Sequence, residues 1–108
     1  MAKRYYLGMD QGTTGTTTLL LDEKWNLVAR GYKEHKQHYP NPGWVEHDPM
    51  EIWEGVRGSI RMALDIAGAR PEEIACIGID NQGETVMLWD KETGVPVYNA
   101  IVLSLIHI

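Results

Sequence analysis

The sequence predicts an α/β fold on a mixed sheet, with elements in the order β-β-β-α-β-β. Three observations carry that prediction. Three short runs rich in apolar and β-branched residues lie between Tyr5 and Tyr32, joined by turn-forming residues. A single helix with punctuation at both ends follows, from Asp48 to Gly68. Then comes an almost unbroken apolar run, Ile74 to Ile79, of the kind that fits a strand covered on both faces.

The first run, Tyr5 to Met9, ends in Asp10-Gln11-Gly12, and the second, Thr16 to Leu21, ends in Asp22. Gly12-Thr13-Thr14-Gly15 between them is a turn-rich joint, so the two read as a hairpin. Asp22-Glu23-Lys24 turns the chain into the third strand, Leu27 to Tyr32, with Gly31 inside it. Three consecutive antiparallel strands are expected. His35 to His47, rich in Pro, Gly and aromatics, reads as an irregular excursion.

Asp48 is placed to cap the helix, Pro49 suits its first position, and Glu51 completes a capping-box spacing. Ile52, Val56, Ile60, Ala63, Leu64 and Ala67 recur at helical spacing, and Gly68 ends the helix. Gly55 and Gly58 weaken the helix interior and allow close packing on a sheet. Trp53, beside the apolar face, is expected in the core. Pro71-Glu72-Glu73 leads into the strand Ile74 to Ile79, where Cys76 is expected as inert packing. Thr85 to Trp89 reads as another strand, Lys91 to Gly94 as a turn, and Val95 to Val102 as a last extended segment.

A length of 108 residues allows one domain, and 44% hydrophobic residues can build a modest core. The net charge of -5, with no basic run, argues against nucleic acid as the main partner. One cysteine permits no intrachain disulfide and points to a reducing compartment. The start of the chain lacks the apolar stretch of a signal peptide, and the apolar run from Ala100 through Ile108 is too short to span a membrane. A soluble cytoplasmic protein is the expectation.

Two stretches could carry chemistry. In Asp10-Gln11-Gly12-Thr13-Thr14-Gly15-Thr16-Thr17, an acid at a strand's end is followed by glycines and hydroxyls in a tight turn. Such a turn presents donors to phosphate oxygens, and the carboxylate can hold magnesium or its waters. It is not a Walker loop, because no Gly-Lys-Ser/Thr is present and a strand follows. A plain hairpin stays open on spacing alone. In Gly78-Ile79-Asp80-Asn81-Gln82-Gly83-Glu84-Thr85, polar groups gather where a strand ends, the usual ligand position in open α/β sheets. Gln82 and Glu84 could bond a substrate's hydroxyls, with Gly83 admitting a close approach; a solvated turn is the alternative. His35, His38 and His47 lack ligand spacing and read as surface histidines.

These two stretches, together with Pro42-Gly43-Trp44-Val45-Glu46-His47-Asp48-Pro49 and Ile52-Trp53, resemble the FGGY family of carbohydrate kinases in its glycerol-kinase branch. The resemblance runs from about Tyr5 to Val102. It implies an actin-like ATPase fold in which two ribonuclease-H-like domains close over ATP and substrate, this chain being the first part of domain I, residues 4–102. It implies that Asp10 is the metal-associated acid and that Gly12, Thr13, Thr14 and Gly15, with Thr17, bind the phosphates of ATP. Gln82, Gly83 and Glu84 match the polyol-binding strand end. The cofactors implied are ATP and Mg2+, the partners a small polyol or sugar and the carboxy-terminal part of the same enzyme, assembled as a homo-oligomer. The reaction implied is transfer of the γ-phosphoryl group to a terminal hydroxyl.

The chain departs from that pattern in four ways. Thr17 stands where glycerol kinases usually carry Arg, and Gly83 stands where they carry another Arg, which puts glycerol itself in question as acceptor. After Ala100-Ile101-Val102 the match to the family's continuation stops, and Leu103 to Ile108 is expected to be foreign to the fold. Family members are several times longer, so the catalytic aspartate and adenine pocket are expected elsewhere, with no catalytic residue in this chain. Competing expectations are a kinase for another sugar or polyol, a non-catalytic sugar-binding regulator on the same fold, and a ligand-free structural module.

Overall fold

Antiparallel pairing of three strands sets the framework. In the computed structural model, which describes residues 2–83 and 85–102, these are β1 (Tyr5–Gln11), β2 (Gly15–Asp22) and β3 (Leu27–Glu34). A two-residue strand, β4 (Glu46–His47), follows, then the helix α1 (Pro49–Ala67) and a single 3₁₀ turn over Pro71–Glu73. β5 (Ile74–Asp80), β6 (Thr85–Val86) and β7 (Ala100–Val102) complete the described chain. Leu103 to Ile108, expected to be foreign to the fold, lie outside the described residues.

Four strands form the main sheet in the order β3-β2-β1-β5, and β5 runs parallel to β1 while the other neighbours are antiparallel. The sheet is therefore mixed, as expected. The remaining strands, β4-β7-β6, make a small second sheet that the sequence did not announce. It replaces the two longer strands expected after β5. Among the described residues, Thr85 to Trp89 pairs only over Thr85–Val86, and Val95 to Val102 only over Ala100–Val102, apart from one isolated bridge between Trp89 and Pro96.

Alternation along the strands decides which side chains reach the core. Leu7 and Met9 of β1, and Thr16, Thr18 and Leu20 of β2, turn to the face covered by α1. Leu7, Met9, Leu20, Ala29, Ala63 and Leu64 form the buried cluster there. Leu20 is fully buried, which contributes about 2 kcal/mol relative to an exposed leucine.

The helix starts and ends as its residues dictate. Asp48 accepts a hydrogen bond from the Met50 N–H at 2.9 Å, and Pro49 occupies the first turn. Gly68 takes the left-handed conformation (φ 65°), with its N–H bonded to the Asp65 carbonyl and that of Ala69 to the Leu64 carbonyl. The capping box does not close. Glu51 turns away from the helix end, accepts a hydrogen bond from the Lys36 N–H at 3.1 Å and lies 3.4 Å from His38 Nε2.

The helix face nearest the sheet is not the large-residue stripe but Gly55, Ser59 and Ala63, all buried. Val56, Ile60 and Ala67 flank it, half-buried against the core. Close approach is the reason. A Cβ on Gly31 of β3 would overlap the Ser59 carbonyl oxygen and lie 3.0 Å from the Ala63 nitrogen. Ser59 donates to the Val56 carbonyl at 3.0 Å, so the Thr18 hydroxyl 2.8 Å away donates to Ser59. Trp53 lies two positions from Gly55, about 200° round the helix. It is consequently 53% exposed rather than in the core.

β5 reverses another expectation. The run Ile74 to Ile79 is not covered on both faces: Ile77 and Ile79 are 55% and 68% exposed, and Cys76 is exposed rather than packed. The cause is topological. β5 is the edge strand beyond β1, whereas α1 lies over β2 and β3, and no element among the described residues covers β5.

Candidate functional site

The ends of β1, β2 and β5 meet on the sheet face opposite α1. Because Met9 turns into the core, Asp10 turns out of it, and the same alternation turns Thr17 out beside it. Register places Asp10 across from Thr17 on one side and from Asp80 on the other. Gly8 and Gly78 stand side by side below them, and a Cβ on either would meet nothing within 4 Å. The missing side chains open a groove of ≈ 410 Å³ lined by Asp10, Thr17 and Asp80. Asp80 was not singled out in the sequence, although its place in the Gly-Ile-Asp run mirrors Asp10 in Gly-Met-Asp.

The turn between β1 and β2 is tightly closed. The Gly12 N–H donates to the Gly15 carbonyl at 2.9 Å, and the Gln11 side chain donates to the Gly12 carbonyl at 3.0 Å. Gly15 is buried against β3, where a Cβ would collide with the Lys33 carbonyl and the Tyr32 hydroxyl. The Thr14 carbonyl accepts from the His35 N–H at 3.2 Å, which ties the turn to the chain leaving β3. Thr13 is half-buried and Thr14 exposed, in the turn that joins β1 to β2.

Gln82 brings the second stretch to the first. Its amide nitrogen donates to Gln11 Oε1 at 3.2 Å and lies 3.3 Å from His47 Nδ1, while its amide oxygen accepts from the Thr85 hydroxyl at 3.0 Å. Gly83 is exposed, and a Cβ there would enter open space. Glu84 lies outside the described residues.

Two of the three histidines are not on the surface. His47 is fully buried and His35 is 8% exposed, with their rings edge to face at 4.4 Å. The short second sheet explains this, because β4 pairs with β7 and draws His47 under the chain. Burial holds the His47 pKa down, from 6.5 to about 4, helped by His35 and His38 and opposed by Glu51. Burial also lowers the His35 pKa, against the pull of Thr13 and Glu51. Both rings are therefore neutral near pH 7.

The donor set suits a hard cation beside phosphate. Magnesium takes one or two carboxylates and completes its shell with water and phosphate oxygens. Asp10 and Asp80 offer carboxylates at adjacent register positions, and the described residues hold no grouping of three metal-binding side chains.

A family model for the FGGY family of carbohydrate kinases, N-terminal domain, matches residues 5–105. This chain belongs to the FGGY family of carbohydrate kinases. Glycerol kinase 2 of Thermotoga maritima is 56% identical over 99 residues, covering 92% of this chain and 20% of that protein. A crystal structure of Plasmodium falciparum glycerol kinase with ADP superimposes with a TM-score of 0.81 at 37% identity, covering 94% of this chain and 20% of that one. A xylulose kinase from Brucella ovis does so with a TM-score of 0.79 at 36% identity, with 90% and 20% covered. The chain thus spans about a fifth of the length of these relatives. Among its described residues, no helix is long and apolar enough to cross a membrane.

Proposed function

We propose that this chain is the amino-terminal part of an ATP-dependent carbohydrate kinase that transfers the γ-phosphoryl group to a terminal hydroxyl, with glycerol as the first candidate acceptor. The carrying observation is the Gln82–Gln11 hydrogen bond, which joins the acceptor turn to the phosphate turn at the carboxyl ends of two adjacent parallel strands. Its likeness to glycerol kinases supports the acceptor.

The residues take these roles. Asp10 holds magnesium or its waters, and the metal when bound neutralises charge on the phosphates. Gly12 and Gly15 shape a turn from which Thr13 and Thr14 donate hydrogen bonds to phosphate oxygens, with Thr17 lining the groove below. Gln82 and Glu84 bond the acceptor's hydroxyls and hold them in line. Gly83 leaves an open space beside them, which favours a larger polyol or sugar as a second reading. The enzyme works in the cytoplasm as a homo-oligomer. On its own the 108-residue chain turns nothing over, since positioning between two domains and a base for the hydroxyl are both required.

The test is a coupled ADP-release assay on the full-length kinase over a panel of glycerol, ribitol, xylitol and ketoses. Asp10→Asn is expected to lower kcat by about 10²-fold or more while the acceptor KM stays within about twofold. Equal activity of variant and parent would return Asp10 to a plain strand-end residue.

A further inference from the structure

His47 belongs to none of the proposed binding roles, yet it is fully buried and touches the acceptor turn. The direction of each hydrogen bond around it follows from one fixed end. The Gln11 amide nitrogen donates to the Gly12 carbonyl, so the Gln11 amide oxygen is the atom that faces Gln82. Only the nitrogen of the Gln82 amide can donate to it, and the Gln82 oxygen then accepts from Thr85. The second hydrogen of that nitrogen points to His47 Nδ1 at 3.3 Å, which must be the bare nitrogen of a neutral ring.

The backbone holds the ring in place from three sides. Glu46 exchanges two backbone hydrogen bonds with His38, at 2.8 and 2.9 Å, and β4 pairs with β7. Asp48, the next residue, caps α1. Gln82 sits on the turn between strand β5 and the two-residue β6.

We infer that His47 is a positioning residue for the acceptor turn: its Nδ1 accepts the second amide hydrogen of Gln82 and locks that side chain between the phosphate turn and Thr85. The inference rests on the reading of Gln82-Gly83-Glu84 as the acceptor site. Among the described residues His47 Nε2 has no hydrogen-bond partner, so Nδ1 makes the ring's hydrogen bond there. The ring is there for Nδ1.

The experiment compares His47→Leu, His47→Asn and Glu84→Ala in the full-length kinase. His47→Leu removes the acceptor atom, and the acceptor KM is expected to rise about five- to tenfold while the ATP KM stays within about twofold. His47→Asn places Oδ1 near the Nδ1 position and is expected to restore most of the acceptor affinity. If Leu and Asn behave alike, if both KM values rise together, or if neither moves while Glu84→Ala raises the acceptor KM, the inference falls alone. If Glu84→Ala leaves every acceptor's kinetics unchanged, the acceptor site itself is misplaced and the inference falls with it. Should His47→Leu fail to fold, long-range 1H–15N spectra of the parent decide: a bare Nδ1 on His47 that shifts in Gln82→Leu supports the lock, and a protonated Nδ1 overturns it.

Discussion

Replacing Gly31 with alanine is the sharpest test of how α1 sits on the sheet. The new Cβ would overlap the Ser59 carbonyl oxygen and press on the Ala63 nitrogen at 3.0 Å. Both are helix backbone atoms, so no rotamer change relieves the contact, and the whole helix must shift outward. Overpacking of this kind costs about 1–3 kcal/mol. The shift also stretches the buried Thr18–Ser59 hydrogen bond, now 2.8 Å, which adds about 1 kcal/mol. Together they predict a loss of about 3 kcal/mol. In urea denaturation followed by circular dichroism, with a slope of about 1.5 kcal/mol/M, the midpoint should drop by about 2 M. Gly58→Ala is the control. A Cβ there lies 3.0 Å from Lys33 Cγ, a flexible and exposed side chain, and alanine favours the helix by up to about 1 kcal/mol. Its midpoint should hold or rise. A Gly31→Ala midpoint within about 0.5 M of the parent would show that the helix does not ride as close as the geometry requires.

Two further outcomes follow from single side chains. Asp48→Ala removes the acceptor for the Met50 N–H and should cost about 1 kcal/mol in the same denaturation, and an unchanged midpoint would mean that another group caps α1. Acid should weaken the fold through His47. The unfolded chain takes up a proton near pH 6.5 that the folded chain refuses until about 4, so stability is full above pH 6.5 and falls as pH drops to about 4. The loss is on the order of 2 kcal/mol, with buried His35 acting in the same direction. Midpoints measured at several pH values across that window check it. A flat profile in the parent, or an equal slope in His47→Asn, would refute it.

The sequence by itself determined most of what depends on near neighbours. Apolar and β-branched runs on either side of Gly12-Thr13-Thr14-Gly15 were enough for the hairpin, and the structure then placed Asp10 across from Thr17. Asp48, Pro49 and Gly68 were enough for the ends of α1, because caps act within one turn. The stretches from Asp10 and from Gly78 were legible as polar clusters at strand ends, and their motifs carried the family. Only the tertiary structure decided what depends on distant partners. Glu51 had the spacing of a capping box, but Lys36 and His38 lay within its reach and took it away. The run around Cys76 reads as buried, yet burial needs a covering layer, and β5 has none among the described residues. His47 reads as a surface histidine, and only its pairing across more than fifty residues to Ala100 puts it under the chain. The same holds for Gln11 and Gln82, which are 71 residues apart and adjacent only because β1 and β5 run parallel and in register. Local patterns specify which way a side chain points along its own element; what it meets there is set by where the other elements pack.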